Sequence, residues 1–433
     1  MIDFKTPYSR DNGLSFLDRF LPDDFNKCDE EVKPDFKPQF IHSIRKIGEV
    51  SSLENIHVYE ITHESENDPR VSLSKDSFRL LAHFNVRKAL IFFVSKNSPN
   101  YRFSLVTVDL NWESGAKVKR EYSNPRRYSF FLGPDARVHT PSDFLINKGQ
   151  IKNISDLLSR FDVEIVTKEF FVKYKGLYEN VSGYLQKDHG FRVFAEKHGI
   201  DIDTFAKKLL GQIVFCYFLQ RKGWLGAKRQ ELINKGDKDF IRSLFNRCAG
   251  ETKNFFNDCL EYLFYGSLNS RAENVGDFYR KYLDCQIPFL NGGLFDCLDE
   301  KSAQPPVYID GFSDNLVKPH KLIVPDFLFF GEKEGKGVDL SGQYGDKKKK
   351  SVNIKGLIDI LSTYNFTIVE NTPIDQEVSL DPELLGKVFE NLLASYNPET
   401  KSTARKQTGS FYTPREIVQY MVDESLIAYL KNE

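Results

Sequence analysis

The sequence predicts a mixed α/β protein: a small sheet in the first third, a helical middle third, and a C-terminal segment of two capped helices. Two observations carry this. Strand-length runs flank a helical one near the start, and the apolar period lengthens from two toward four near residue 166. NIHVYEIT (55–62) and ALIFFVS (89–95) have strand length and β-branched or aromatic content, while DSFRLLAHF between them places Phe78, Leu81 and Ala82 at helical spacing. A strand, a helix and a strand in succession predict a crossover unit in a mixed sheet. YRFSLVTVDLNW (101–112) alternates Phe103, Leu105 and Thr107 on one face, and the turn-like ESGA followed by KVKREY predicts a hairpin.

From 166 to 300 the spacing is helical. Phe205, Leu209, Ile213, Val214, Tyr217 and Phe218 form one stripe closed by Gly223, and KNFFNDCLEYLFYGSL and VGDFYRKYLD repeat the pattern. The stretch GEKEGKGVDLSGQYGDKKKKS reads as a surface loop, its Lys347–Lys350 run solvated, within an irregular linker over 301–375. In 376–433, Asp381 and Pro382 start a helix with Leu384, Leu385, Val388, Phe389, Leu392 and Leu393 as its buried stripe. A second helix starts at Thr413, with Pro414 at its first position, Glu416 completing a capping box, and Val418, Met421, Val422 and Leu426 as its apolar face. The expected divisions are therefore 1–165, 166–300, 301–375 and 376–433.

Composition narrows the function classes. With 60 basic and 61 acidic residues the net charge is −1, which excludes a nucleic-acid packaging protein but allows a DNA enzyme with a local basic surface. The start MIDFKTPYSRDNGLSF lacks a basic then apolar leader, and no apolar run reaches the ~18 residues of a membrane span. The six cysteines are scattered without a C-x-x-C pair, so reduced thiols and a cytoplasmic location are expected. The eight histidines, His57 and His63 included, show no metal-ligand spacing.

The most informative string is TGSFYTPREIVQYMV (408–422). A glycine, two aromatics and a Thr-Pro-capped helix make a loop whose backbone N–H groups face a carboxylate or phosphate, with Phe411 and Tyr412 to cover a flat ligand. A plain capped helix after a flexible linker accounts for the same residues. The longer run ARKQTGSFYTPREIVQYMVDESL, with DPELLGKVFENLLASY, FLNGGLFD (289–296) and SNPRRYSFFLGP (123–134), resembles restriction–modification N6-adenine DNA methyltransferases. The likeness is to the class I, S-adenosylmethionine-dependent enzymes, above all the single-chain ones that fuse a nuclease-like region, a methyltransferase and a target-recognition region. It implies a nuclease-like α/β domain, a helical connector and the helical segment leading into a Rossmann-like methyltransferase domain. It also implies Phe411, Tyr412, Thr413 and Pro414 as cofactor contacts and double-stranded DNA as partner.

The family's glycine-rich loop and Asn/Asp-Pro-Pro-aromatic tetrapeptide are not found in these 433 residues. Asn124-Pro125 and Asn397-Pro398 lack the second proline, Gln304-Pro305-Pro306-Val307 lacks the amide-binding residue and the aromatic, and Asn291-Gly292-Gly293 is no strand-to-helix glycine loop. The chain is therefore expected to be the N-terminal portion of an adenine-specific methyltransferase, inactive alone. For the nuclease-like region, Mg²⁺-dependent cleavage needs clustered acids and a lysine near the attacking water. Glu60 on its strand, with Asp35 and Glu49, is the candidate set, but Thr62 stands where the lysine would be, so a degenerate scaffold is expected. Asp326, Glu334 and Lys336 mimic the spacing by coincidence.

In KVKREYSNPRRYSFF, Lys119, Arg120, Arg126 and Arg127 are candidate phosphate contacts, with a solvated hairpin face as the equal alternative. The rival functions are a non-catalytic DNA-binding or assembly module for a catalytic or specificity chain, and an active Mg²⁺-dependent nuclease.

Overall fold

The computed structural model describes residues 2–65, 70–112, 120–271, 278–290, 293–297, 302–304, 324–331, 346–351, 355–368, 371–372, 374–380 and 415–432, with short pieces at 341, 382–383, 386, 396–397 and 402–403. The protein is a mixed α/β chain built on a seven-stranded sheet.

Helix α1 (Arg10–Phe20) begins where the Ser9 side chain accepts from the Asn12 N–H, and buries Phe16, Leu17 and Phe20. Strands β1 (Phe25–Glu31), β2 (Ile41–Val50) and β3 (Ile56–His63) run antiparallel in turn. Helix α2 (Arg70–His83) then crosses over to β4 (Lys88–Ser95), which pairs parallel to β3, as the strand–helix–strand spacing predicts. Strands β5 (Tyr101–Trp112) and β6 (Arg120–Leu132) form the expected antiparallel pair, its turn lying outside the described residues.

Period-two alternation gives the sheet two apolar faces. Ile56, Val58, Phe92, Phe103 and Phe130 face α1 and the following helices, with Phe161 packed 5.2 Å from Phe130 and 5.7 Å from Phe103. Tyr59, Ile61, Ile91, Phe93 and Val106 face α2, whose Leu73, Phe78 and Leu81 cover them.

Short α3 (His139–Ser142) and α4 (Ile154–Arg160) lead into α5 (Val163–Lys187), α6 (His189–His198) and α7 (Ile202–Arg221). Asp162, Asp188 and Asp201 cap the last three through their side chains. Helix α7 is buried on most of its circumference rather than along one stripe, and serves as the axis of the helical layer. Gly223 ends it at φ +73°, where an added Cβ would lie 2.4 Å from the Asn234 carbonyl oxygen. Helix α8 (Phe240–Gly250) and a helical run over 255–268, containing α9 (Glu261–Leu263) between π-turns, complete this layer.

Several expectations are corrected here. VGDFYRKYLD does not continue the helical pattern where it is described. Its C-terminal half forms a hairpin of β7 (Tyr279–Arg280) and β8 (Cys285–Gln286), turned at Asp284 with φ 51° and held by the Gln286 N–H donating to the Ala227 carbonyl. Cys248 and Cys259 form a disulfide where free thiols are expected, because two consecutive helices bring them together across a separation of 11 residues.

The stretch read as linker also contributes to the fold. Val324, Leu328 and Phe329, then Leu357, Ile358 and Leu361 of α10 (Leu357–Leu361), then Tyr364 and Phe366, all join the main core. Beyond them β9 (Asp375–Glu377) pairs parallel to β6 and becomes the edge strand of the N-terminal sheet. The lysine run does form an exposed turn, capped by Asp346. The last described element, α11 (Arg415–Asn432), stands with Val418, Tyr420, Met421, Leu426, Tyr429 and Leu430 between 45% and 68% exposed. No helix among the described residues is long and apolar enough to cross a membrane.

Candidate functional site

Glu60 sits on the α1 face of β3, 8% exposed, and its carboxylate is fully engaged. The Tyr8 hydroxyl donates to Oε2 at 2.6 Å, and Arg10, the first residue of α1, grips both oxygens through Nε at 3.1 Å and Nη2. Arg10 also reaches Asp29 on β1 at 3.3 Å, and Arg45, opposite Glu60 in register, reaches the same oxygen at 2.6 Å. Tyr8 is itself placed by packing 5.2 Å from Phe92 and 5.4 Å from Tyr101. Burial alone would raise the Glu60 carboxyl, but the hydrogen bonds from Arg10 and Tyr8 and the charges of Arg10 and Arg45 outweigh it and hold the group below its usual range. Burial and the Glu60 carboxylate push the Tyr8 hydroxyl far up.

The consequence is chemical. A carboxylate bound bidentately by arginine has no vacant oxygen for a cation, and a divalent ion would have to displace Arg10. The sign of the shift also fixes a pH dependence. A depressed acid stabilises the fold fully above its ordinary value, about 4.3, and loses that contribution as pH falls through the lower folded value. Glu60→Gln is therefore expected to lower stability at pH 7 and to flatten its decline below about pH 4.3, read from urea unfolding across pH. An acid limb unchanged by the substitution would show that the Arg10 pairing contributes nothing.

The other two candidate acids do not join Glu60. Glu49 pairs in register with His57, on the α2 face, and binds Lys46 Nζ at 2.5 Å with His57 Nε2 at 3.9 Å. The Lys46 hydrogen bond holds the Glu49 carboxyl below its usual range, whereas burial and the Lys46 charge lower the His57 imidazole. Asp35 contacts His83 of α2 at 3.0 Å. Adjacent strand positions point to opposite faces, so Glu49 and Glu60 stand on the two sides of one sheet. Among the described residues no three His, Cys, Asp or Glu side chains are grouped to hold a metal ion. Asp326 is a capping residue that accepts from the Phe255 N–H at 2.9 Å, while Glu334 and Lys336 lie outside the described residues.

The basic segment divides. Lys119 lies outside the described residues, and Arg120 is described only by its backbone, paired with Trp112. Arg126 is exposed, its Nε donating to Asn124 Oδ1 at 3.2 Å. Arg127 is the correction: it is 0% exposed, beyond the reach of any phosphate. Alternation turns it under α2, where its guanidinium stacks 4.1 Å from the centroid of Phe93 and donates to Ser74 Oγ and Ser104 Oγ, each at 3.3 Å.

Beside it lies a buried polar seam that sequence reasoning missed. Arg102 on β5 donates to Glu377 on β9 at 2.9 Å, and Asn365 donates to the other Glu377 oxygen at 2.8 Å. The Asn371 side chain accepts from the Glu377 N–H at 2.7 Å. Arg221 at the end of α7 donates to the Phe366 carbonyl at 2.9 Å and to Asn365 Oδ1 at 3.3 Å. The seam thus ties β9 to both the sheet and the helical layer. One signal was legible: Arg102 is the one basic residue of its strand. Its partner, 275 residues away, was not.

The terminal motif residues Phe411, Tyr412, Thr413 and Pro414, and most of the helix expected from Asp381, lie outside the described residues. Comparison with family models, curated proteins and solved structures finds no match to this chain.

Proposed function

We propose that this chain is the N-terminal portion of an adenine-specific DNA methyltransferase of a restriction–modification system, which transfers a methyl group from S-adenosylmethionine to adenine N6. The observation that carries the reading is the run ARKQTGSFYTPREIVQYMVDESL leading into α11, a helix whose apolar residues are uncovered. An 18-residue helix with so much exposed apolar surface marks a packing interface, and a methyltransferase domain supplies the cover. In this reading Phe411 to Pro414 form one wall of the cofactor site. The glycine loop and the Pro-Pro tetrapeptide that would complete the site belong to sequence outside these 433 residues. The α/β domain then acts as a DNA-facing scaffold. The nuclease reading is disfavoured by Glu60, which is occupied by Arg10 and Tyr8 and lies across the sheet from Glu49.

Tyr412 tests the assignment. In the protein extended through the tetrapeptide, Tyr412→Ala should weaken S-adenosylmethionine binding about fivefold while leaving the fold intact, since one aromatic contact contributes ~1 kcal/mol. Calorimetry on the pair checks it. Unchanged affinity would reduce the motif to a capped helix.

A further inference from the structure

The segment before α1 and one face of that helix line a cavity of about 250 Å³ above the Glu60 side of the sheet. That is near the small end of ligand pockets, roughly 300–1,000 Å³. Part of its lining is aromatic: Tyr8 packs against both Phe92 and Tyr101, and all three line the space. One wall is a stripe of α1 carrying Asn12, Ser15 and Arg19, spaced three and four residues apart and so stacked along one face.

Two groups on this lining have no protein counterpart. Tyr101 is only 8% exposed, yet its hydroxyl makes no hydrogen bond among the described residues. Burial and the nearby Asp3 charge act on it instead. The hydroxyl opens onto the cavity, where a bound polar molecule can pair with it. Arg19 is exposed and pairs with no carboxylate among the described residues, its neighbour Asp18 being taken by Lys27 at 2.7 Å. Asp3, which also lines the space, only accepts hydrogen bonds when ionised.

We propose that this cavity binds a single nucleotide with an amino-bearing base: the ring against Tyr8 and Tyr101, the amine on Asp3, the phosphate on Arg19. Aromatic surface takes any base, a carboxylate selects for an exocyclic amine, and a guanidinium matches phosphate. The nucleotide is either free or the unstacked end of a single DNA strand. The inference rests on the cavity alone and stands apart from the methyl-transfer reading.

Calorimetry on the 433-residue chain with AMP, adenosine and a 5′-phosphorylated deoxyadenosine tetranucleotide tests it. AMP should bind more tightly than adenosine. Arg19→Ala should weaken AMP binding about tenfold or more and abolish the preference over adenosine, since a charged hydrogen bond is removed. Tyr101→Phe should weaken AMP binding roughly three- to tenfold while the melting temperature stays level, because the hydroxyl bonds no other part of the described fold. That combination separates a ligand role from a structural one. Tighter binding of the tetranucleotide assigns the site to DNA ends, and tighter AMP binding to free nucleotide. Absence of millimolar binding by both, or binding unchanged in both variants, overturns the proposal.

Discussion

Arg127→Ala is expected to destabilise the protein by about 3–5 kcal/mol, whereas Arg126→Ala, one residue away, should change stability by less than about 0.5 kcal/mol. The contrast follows from strand parity. Arg127 is wholly buried under α2, stacked on Phe93 and hydrogen-bonded to Ser74 and Ser104, and it stands beside Asp375 in the β6–β9 register. Truncation leaves a large cavity and removes the cation next to a buried acid. Arg126 is exposed and is bonded locally, to Asn124 and Tyr128. Of these two arginines, only Arg126 is placed to meet a phosphate. Its alanine variant should lower duplex affinity modestly and reduce the salt slope by about one. Chemical unfolding and filter binding on both variants check the pair. Equal stability losses would show that the burial of Arg127 is not what holds this end of the sheet.

Glu377→Ala should be comparably damaging, about 3–5 kcal/mol, because it leaves Arg102 buried without its carboxylate. The strand it belongs to pairs with β6 over only three residues and owes its position to this seam. Limited proteolysis should therefore open the 365–380 segment first. Replacing both members, Arg102→Leu with Glu377→Leu, should recover much of the loss, since a buried ion pair contributes little net stability over apolar packing. A double variant as unstable as the single one would mean that the wider network with Asn365 and Arg221 requires the carboxylate itself.

These two sites mark where the sequence stopped being legible. Strands 55–62 and 89–95, the helix between them and the hairpin after them follow from local periodicity, and the strands form close to their expected bounds while the helix starts earlier, at Arg70. Gly223 closes α7 because its positive φ and the nearby Asn234 carbonyl exclude a side chain. What the sequence did not reveal depends on distant partners. Arg10 and Glu60 lie 50 residues apart, and Arg102 and Glu377 lie 275 apart, so neither pair leaves a local pattern. Arg127 was read as a surface cation because its basic neighbours suggested a patch. The register of β6 against β5 decides its face instead. The tyrosines of the helical layer misled in the opposite direction, where Tyr279 and Tyr282 sit at helical spacing but fold as a hairpin and its turn.

Methyl transfer is the most direct test of the central claim. Labelled S-adenosylmethionine and mixed-sequence duplex DNA are incubated with the 433-residue chain and with the protein extended through an Asn-Pro-Pro-aromatic tetrapeptide, and the digested nucleosides are separated. The expected result is label on N6-methyladenine from the extended protein and none above a heat-killed control from the chain alone. Label on cytosine, or none from the extended protein, would contradict the assignment; transfer by the chain alone would contradict the claim that its methyl-transfer site is incomplete.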